Sequence, residues 1–380
     1  MQAKSIKGNS TSEIKTALEK SMLDGYQPTL AFVFMSIKQD RDAVCDLLNA
    51  AGISIFGATS CGEFIDGDIG RGTIAILLLD IKKSDFIILL REYQKENLAH
   101  VTTEMGADIL KSFKNPHIIV SYSQQIPEGL IEGETIIKNL EKVVGQNAAI
   151  WGGAAGDDAR FTQTYVFTKN KSLKAGIIML VLDADKIMLK GLAASGWKAV
   201  GTEKLITKTN GSWILTIDDQ PALEVLFKYL GLSLTKEEAE TFNPATNVFS
   251  LLRSEGEPVI RSTAVFNWDD KSILMNGNIK EGDKIRFTLP PDFEIVEIVS
   301  KEAEQIKQTE IPDADAMVMF SCMGRLGAFG PLAGEEITEI KNSFNVPLAG
   351  FFCYGEFGRA TQGNNEFHNM TCCWIALKEK

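Results

Sequence analysis

The sequence contains few of the residues from which metal centres and disulfide frameworks are built. Its 380 residues include three histidines and six cysteines, with no CxxC pair. Apart from the adjacent Cys372 and Cys373, the cysteines are widely separated, and the histidines are scattered. Structural zinc sites use short-spaced Cys and His pairs, and catalytic metal centres need several ligands. The composition therefore argues against a disulfide framework, a structural zinc site and a multi-histidine metal centre.

Basic clusters and long apolar runs are also missing. The net charge is −11, and no block of Lys or Arg is interleaved with aromatic residues. This argues against nucleic-acid binding, which needs a clustered basic face. The longest apolar runs, Ile74–Leu79 and Ile177–Leu182, are too short to span a bilayer, and residues 1–7 lack the apolar core of a signal peptide. We expect a cytoplasmic protein with enough residues for two domains.

An internal repeat is the most informative feature that is present. Residues 53–64 and 346–357 share glycine, glutamate and phenylalanine at matching positions, with Glu63 corresponding to Glu356. A weaker copy at 148–158 places Gly156 and Asp157 where the first copy has Gly62 and Glu63. Each copy ends a buried strand with an acidic, glycine-rich turn. The repeat therefore predicts that these turns converge on one site.

Apolar runs and helical spacing predict three strand–helix–strand units. Because the strands are continuously apolar, the sheets should be covered on both faces. The expected fold class is α/β with α+β character, in which the units form mixed, mostly buried sheets in two domains. The predicted strand pairs are 29–36 with 53–56, 117–121 with 148–151, and 316–321 with 346–351.

The regions outside these units set the predicted domain boundaries. Ser10 and Glu13 form a capping-box pattern, so residues 1–26 are predicted to be an N-terminal helical extension. Pro221 and Gly231 bracket a further helix, and residues 243–289 contain short strand-like runs separated by turns. The predicted domains are 27–218 and 219–380.

Six motifs in order along the chain resemble those of the FIST-domain family. GATSCGE (57–63), WGGAAGD (151–157) and LTIDDQPAL (215–223) are similar to its N-terminal half. FSCMGR (320–325), AGFFCYGE (349–356) and FHNMT (367–371) are similar to its C-terminal half. The resemblance implies a ligand-sensing module of signal transduction that binds small ligands such as amino acids.

The same resemblance suggests the kind of output partner. FIST domains are often fused to, or found beside, chemotaxis receptors, histidine kinases and cyclic-dinucleotide enzymes. Nothing in this sequence resembles such an output domain. We therefore expect the protein to signal through a separate partner of one of these kinds.

The glycine-rich turns are the predicted ligand site. Glycine lets the backbone approach a ligand closely, turn N–H groups bind a carboxylate, and Glu63 or Glu356 binds an ammonium group. Alternatively, the two glutamates tie neighbouring loops together. The predicted ligand contacts are Gly57, Cys61, Gly62, Glu63, Asp157, Cys322, Arg325, Gly355, Glu356, His368 and Asn369.

Several of these residues also have structural interpretations. Arg325 either clamps a ligand carboxylate or neutralises Glu356 or Glu63, and we favour the internal ion pair. Asp157 either contacts ligand or caps a turn. His368 is interpreted mainly as a hydrogen-bonded structural residue, and the cysteines as small residues in tight packing.

Two other functions stay open at the level of sequence. Some FIST-like proteins resemble haem-binding nitric-oxide sensors, and His100, His117 and His368 are the candidate axial ligands, although no haem-attachment motif is present. A thiol-dependent hydrolase could use Cys61 or Cys353 beside a glutamate, but no GxSxG nucleophile elbow occurs. We predict a binding module without catalytic activity or cofactor, with haem as the alternative.

Overall fold

The computed structural model describes residues 1–125, 133–169, 171–233, 235, 238, 247–254, 256–360 and 363–380. Within this part of the chain the fold is mixed α/β, as predicted, with eight α-helices and 25 strands. The helices are α1 (Thr11–Ser21), α2 (Arg41–Ala50), α3 (Leu98–Ser112), α4 (Gly133–Val144), α5 (Ala222–Leu230), α6 (Glu294–Glu310), α7 (Met323–Phe329) and α8 (Leu332–Phe344).

The strands form four sheets. In the first half of the chain they are β1 (Ala3–Gly8), β2 (Leu30–Met35), β3 (Ser54–Thr59), β4 (Glu63–Ile65), β5 (Asp68–Gly70), β6 (Ile74–Leu79), β7 (Phe86–Glu92), β8 (Pro116–Ser123), β9 (Ala149–Gly153), β10 (Val166–Thr168), β11 (Lys171–Leu173), β12 (Gly176–Asp183) and β13 (Ile187–Ala194). The remainder are β14 (Lys198–Asn210), β15 (Trp213–Ile217), β16 (Gln220–Pro221), β17 (Val248–Leu251), β18 (Val259–Phe266), β19 (Ile273–Met275), β20 (Lys284–Leu289), β21 (Ala316–Cys322), β22 (Leu348–Cys353), β23 (Glu356–Gly358), β24 (Glu366–His368) and β25 (Cys372–Glu379).

The three predicted strand–helix–strand units are confirmed. β2 pairs with β3, β8 with β9 and β21 with β22, each in parallel. Every residue of β2, β21 and β22 is buried, as expected for strands that helices or other strands cover on both faces. In each unit the second parallel strand leads into a short hairpin, and an antiparallel strand (β6, β12 or β25) then returns to the first parallel strand.

The units exchange these hairpins in a cycle. Each six-stranded sheet consists of an edge strand, the antiparallel strand, the parallel pair and a hairpin from another unit. The three orders are β1-β6-β2-β3-β10-β11, β7-β12-β8-β9-β23-β24 and β13-β25-β21-β22-β4-β5. Unit 1 thus gives its hairpin to unit 3, unit 3 to unit 2, and unit 2 to unit 1.

The hairpin register corrects the alignment of the weak middle repeat. Glu63 and Glu356 each open a donated hairpin, six residues after Gly57 and Gly350 respectively, whereas Val166 occupies that position in unit 2. Asp157 is therefore not the counterpart of Glu63. It lies in the connection from β9 to β10, which is longer than the corresponding turns of the other units.

A closed, seven-stranded sheet is inserted into the third unit, between β13 and α6. Its order is β14-β20-β17-β18-β19-β15-β16, and a β14–β15 pairing closes it into a barrel. Leu223, Leu226 and Phe227 of α5 belong to the barrel's apolar core. The predicted domain boundary, between residues 218 and 219, falls inside this barrel, in the turn from β15 to β16.

The first 26 residues are more than a helical extension. The predicted helix is present as α1, and the Ser10 side chain caps it by accepting a hydrogen bond from the Glu13 N–H. However, β1 precedes it and pairs with β6 along its whole length. This strand escaped detection because its short segment, AKSIKG, is largely polar. None of the helices in the described part of the chain combines the length and apolar character that crossing a bilayer requires.

Candidate functional site

The three repeated turns meet, as their repetition predicts. We call residues 59–62, 154–158 and 352–355 the turn junction. The bonds that join them are Cys61 N–H to Phe352 O (2.8 Å), Gly156 N–H to Thr59 O (2.7 Å) and Ala154 N–H to Gly355 O (2.8 Å). Three of the turn N–H groups that could have bound a ligand carboxylate are thus already paired with carbonyls of neighbouring turns.

Glu63 lies buried beside the junction and ties its own hairpin together. Its carboxylate accepts hydrogen bonds from the Thr73 N–H (2.9 Å), the Thr73 hydroxyl (2.7 Å) and the Ser60 hydroxyl. Burial raises its pKa, although these donors oppose the shift. This arrangement matches the structural alternative for Glu63.

Asp157 organises the long connection of unit 2. Its carboxylate accepts hydrogen bonds from the backbone N–H groups of residues 160–163 at 2.7–3.2 Å, and from the Tyr354 hydroxyl. Asp158, Ala159 and Phe161 within this loop have positive φ angles of 54–59°. The Asp157 carboxylate holds this unfavourable backbone conformation in place, which matches the turn-capping alternative.

Glu356 is buried between thiols and has no ion-pair partner in the described structure. It accepts hydrogen bonds from Cys353 Sγ (3.2 Å) and the Thr371 N–H (3.3 Å). Burial, only partly offset by these donors, raises its pKa to about 8. The carboxyl group is therefore mainly neutral at pH 7, so it is poorly suited to bind an ammonium group.

Arg325 does form an internal ion pair, but with a different partner from those predicted. Its guanidinium binds both carboxylate oxygens of Glu336, with an Nε–Oε2 distance of 3.1 Å, and both side chains are fully buried. Its Nη1 donates to the carbonyls of Ser195 and Met370, each at 2.8 Å. Sequence could not identify Glu336, because it comes from α8 rather than from a repeated turn.

The predicted glycine contacts have packing roles. A Cβ at Gly57 would overlap the ring of Phe167, which belongs to the hairpin donated to that sheet, and a Cβ at Gly355 would overlap the Phe367 ring. Gly62 has a φ of 138° and lies against the carbonyl of Gly70. These glycines leave room for donated hairpins and their aromatic rings.

The remaining predicted contacts are also buried. Burial raises the pKa of Cys61 to about 11 and holds that of Cys322 well above its usual value, so neither thiol carries much nucleophilic thiolate at neutral pH. Burial lowers the pKa of His368 to about 3, and its Nε2 lies 3.3 Å from the Gly358 carbonyl. Asn369 accepts a hydrogen bond from the Ser262 N–H at 3.3 Å.

An open cavity lies elsewhere, at the amino ends of β8 and β9. It measures about 730 Å³ and is bounded by these strand ends, β13 and α6. A second cavity of about 360 Å³ shares Leu192, Glu302 and Ala360 with it and reaches Glu257 and Pro258 of the barrel. We call the two together the groove. Of the candidate haem ligands, His117 and His368 line it, whereas His100 lies exposed beside Glu104.

Two residues that line the larger cavity carry buried polar atoms without hydrogen-bond partners among the described residues. Trp151 is 3% exposed, and its Nε1–H has no hydrogen-bond acceptor among the described residues. His117 Nδ1 is likewise unpartnered, and burial lowers the pKa of this imidazole to about 4. A buried donor without an acceptor is costly, so such atoms are expected where a ligand or ordered water completes the structure.

Charged groups of both signs border the same cavity. The Glu302 carboxylate makes no hydrogen bond or ion pair with a described residue, and partial burial raises its pKa. Arg359 uses Nε and Nη2 to bind Asn365 and the carbonyls of Gln146 and Ala148, while Nη1 takes no part in these bonds. The cavity thus offers an unpaired carboxylate and a partly free guanidinium. Within the described ranges, no three His, Cys, Asp or Glu side chains are arranged to hold a metal ion.

Sequence reasoning missed most of the groove. It placed the site at the carboxyl ends of the parallel strands, where ligands of α/β sheets usually bind. In this fold the exchanged hairpins fill that position, and the cavity opens at the opposite ends. Of the groove residues, Trp151 and His368 lie in recognised motifs, while Glu302 and Arg359 carry no sequence signal.

Comparison with known families gives two matches. A model described as the FIST N domain matches residues 29–220, and a model described as the FIST C domain matches residues 222–359. No protein with a curated description matches the chain significantly. The two family models meet at residues 220–222, which lie within the barrel. The domain boundary predicted from the sequence lies within the barrel as well.

Proposed function

The chain belongs to the FIST family, whose domains are non-enzymatic sensory domains of signal transduction. From this premise we propose that the protein binds a small zwitterionic metabolite in the groove. An amino acid is the simplest ligand of this chemistry. The proposal includes a cytoplasmic location and a separate signalling partner, such as a histidine kinase, a chemoreceptor or a cyclic-dinucleotide enzyme.

One observation carries the proposal. The larger cavity is lined by hydrogen-bond donors and by a carboxylate acceptor that have no partner among the described residues. Arg359 Nη1 and the Trp151 Nε1–H are donors suited to a ligand carboxylate, and Glu302 is an acceptor suited to an ammonium group. Charge-assisted hydrogen bonds of this kind are about twice as strong as neutral ones. A volume near 730 Å³ is within the usual range for small-molecule sites.

The position of the groove supplies a route for the signal. Glu257 and Pro258 of the barrel line one end, and β13 and α6 of the third unit form its wall. A ligand that binds more tightly when the barrel is in one orientation shifts the population toward that orientation. The changed surface can then be recognised by the partner protein.

The first experiment is a thermal-shift and calorimetric screen of the twenty amino acids. A ligand at a hundred times its dissociation constant should stabilise the protein by about 2.7 kcal/mol. Glu302→Gln should weaken that ligand at least tenfold without lowering the melting temperature. The matched control is Glu310→Gln, because Glu310 lines the same cavity but is already paired with Lys190 at 2.7 Å.

Two results would overturn the proposal. In the first, an amino acid binds with unchanged affinity to Glu302→Gln but no longer binds to Glu63→Gln. This result would place the ligand at the turn junction. The other is a haem absorbance band in protein prepared with haem that disappears in His117→Ala, which would favour the gas-sensor alternative.

A further inference from the structure

We infer a second ligand site, specific for a small amine or guanidinium compound, at the seam between α4 and the barrel. A separate cavity of about 300 Å³ lies there. Its lining includes Glu134 and Lys138 of α4, Arg253 and Asn278 of the barrel region, and Glu366 of the hairpin donated to the same sheet. Three structural parts therefore meet around one polar space.

The proposed site is centred on the carboxylate of Glu134, one oxygen of which lacks a hydrogen-bond donor among the described residues. It is only 5% exposed, and its Oε1 accepts hydrogen bonds from Arg261 Nη2 (2.6 Å) and the Asn278 N–H (3.0 Å). Its Oε2 has no hydrogen-bond donor among the described residues. A buried carboxylate oxygen without a donor is costly to maintain, so a bound donor at this oxygen would stabilise the folded protein.

The charges around the cavity favour a cation as the missing donor. Arg253 is already satisfied by Glu366, with Nε–Oε1 and Nη2–Oε2 distances of 3.1 and 2.8 Å. Arg261 is held by Glu134 and by the carbonyls of Ile260 and Phe367. The Nε of Arg261 also lacks an acceptor among the described residues, but Arg261 is not part of the cavity lining. Among the described residues of the lining, the unmet buried group is therefore an acceptor. Lys138 at the lining is the only lysine or arginine there without a described ion-pair partner, whereas Glu141 adds a further acidic side chain.

The volume of the cavity limits the size of the proposed ligand. A cavity near 300 Å³ is at the lower limit of ligand sites and suits a compound of roughly ten non-hydrogen atoms. An alkylguanidine or a short alkylamine places an N–H on Glu134 Oε2 and a neutral stem beside Ile137 and Phe367. The bound cation would hold α4 and the barrel together.

The test uses calorimetric titration of the full chain with agmatine, a guanidine with an amine at its other end. Butylurea is the control ligand, because it has a similar shape without charge. Agmatine should bind with a dissociation constant below about 1 mM, and butylurea should give no binding heat. Glu134→Gln should weaken agmatine at least tenfold, while Glu302→Gln in the groove should leave its affinity unchanged.

A second variant protects the test against loss of folding. Asn364 is an exposed residue of the lining, so Asn364→Trp should fill the cavity and abolish agmatine binding without touching the ion pair. Equal binding of agmatine and butylurea, or unchanged affinity in both variants, would overturn the inference. Loss of agmatine binding in Glu302→Gln alone would assign the cation to the groove, and failure of the groove proposal would leave the result at Glu134 unaffected.

Discussion

The turn junction and the groove are opposite in character, although both are built by the same repeated units. At the junction, three turns bind one another through backbone hydrogen bonds, and the carboxylates of Glu63 and Asp157 are fully engaged. In the groove, Trp151, His117 and Glu302 carry polar atoms that have no partner among the described residues. The repeated motif therefore marks the part of the molecule that is complete in itself.

This contrast teaches how a repeat should be interpreted. Glycine and acidic residues recur at the turns because each hairpin must cross into another unit's sheet and be fixed there. A ligand site needs groups that the protein leaves unsatisfied, and such groups have no reason to recur in every copy. Repetition thus identifies the shared architecture, and the site is found where one interface between units differs from the others.

The largest expected effect comes from breaking the buried ion pair between Arg325 and Glu336. Arg325→Ala leaves Glu336 buried without a counter-ion, so the free energy of unfolding should fall by about 3–5 kcal/mol. The groove control is Lys190→Ala, which removes a half-exposed pair with Glu310 and should cost less than about 1 kcal/mol. Urea unfolding measures the loss of free energy of unfolding in each variant. Similar losses in Arg325→Ala and Lys190→Ala would contradict the expected difference between the two regions.

An intermediate effect is expected at Gly57. A Cβ there overlaps the Phe167 ring, so Gly57→Ala should destabilise the protein by about 1–3 kcal/mol. In the double variant with Phe167→Ala, the alanine at 57 should cost almost nothing beyond the loss of the ring. Additive losses in this double-mutant cycle, or loss of ligand binding with unchanged stability, would instead point to the ligand role first predicted for Gly57.

The smallest expected effect concerns pH. Because the pKa of Glu356 is raised to about 8 in the folded protein, its neutral form stabilises the fold at low pH, and this contribution disappears as the pH rises from about 4.5 through 8. Glu356→Gln cannot ionise, so its stability relative to the wild type should increase by at least about 1 kcal/mol between pH 5 and pH 9.

Glu302 in the groove provides the comparison for that experiment. Burial raises its pKa as well, but the side chain is half-exposed and solvent screens the effect. The stability of Glu302→Gln relative to the wild type should therefore also increase with pH, but by a smaller amount than that of Glu356→Gln. Thermal unfolding across this pH range tests both variants, and a flat difference curve for Glu356→Gln contradicts a neutral Glu356.

The sequence predicted the local elements well and the long-range contacts poorly. Continuous apolar runs were sufficient for the three parallel pairs, because burial on both faces leaves a clear pattern. It could not predict that β4 pairs with β22, since this pairing joins distant segments and leaves no local signal. The choice of Glu336 as the partner of Arg325 depends on the same long-range packing, and so does the placement of Glu302 and Trp151 around one cavity.

The cyclic exchange of hairpins has a consequence for how the chain is made. During synthesis, β4 and β5 leave the ribosome long before β22, so they must wait without their sheet, and β9 waits similarly for β23. Contacts of such high sequence separation slow folding and leave strand edges open to wrong pairing. A fragment ending near residue 220 would keep these open edges permanently. The two family domains therefore depend on each other, because two of the three six-stranded sheets combine strands from both halves.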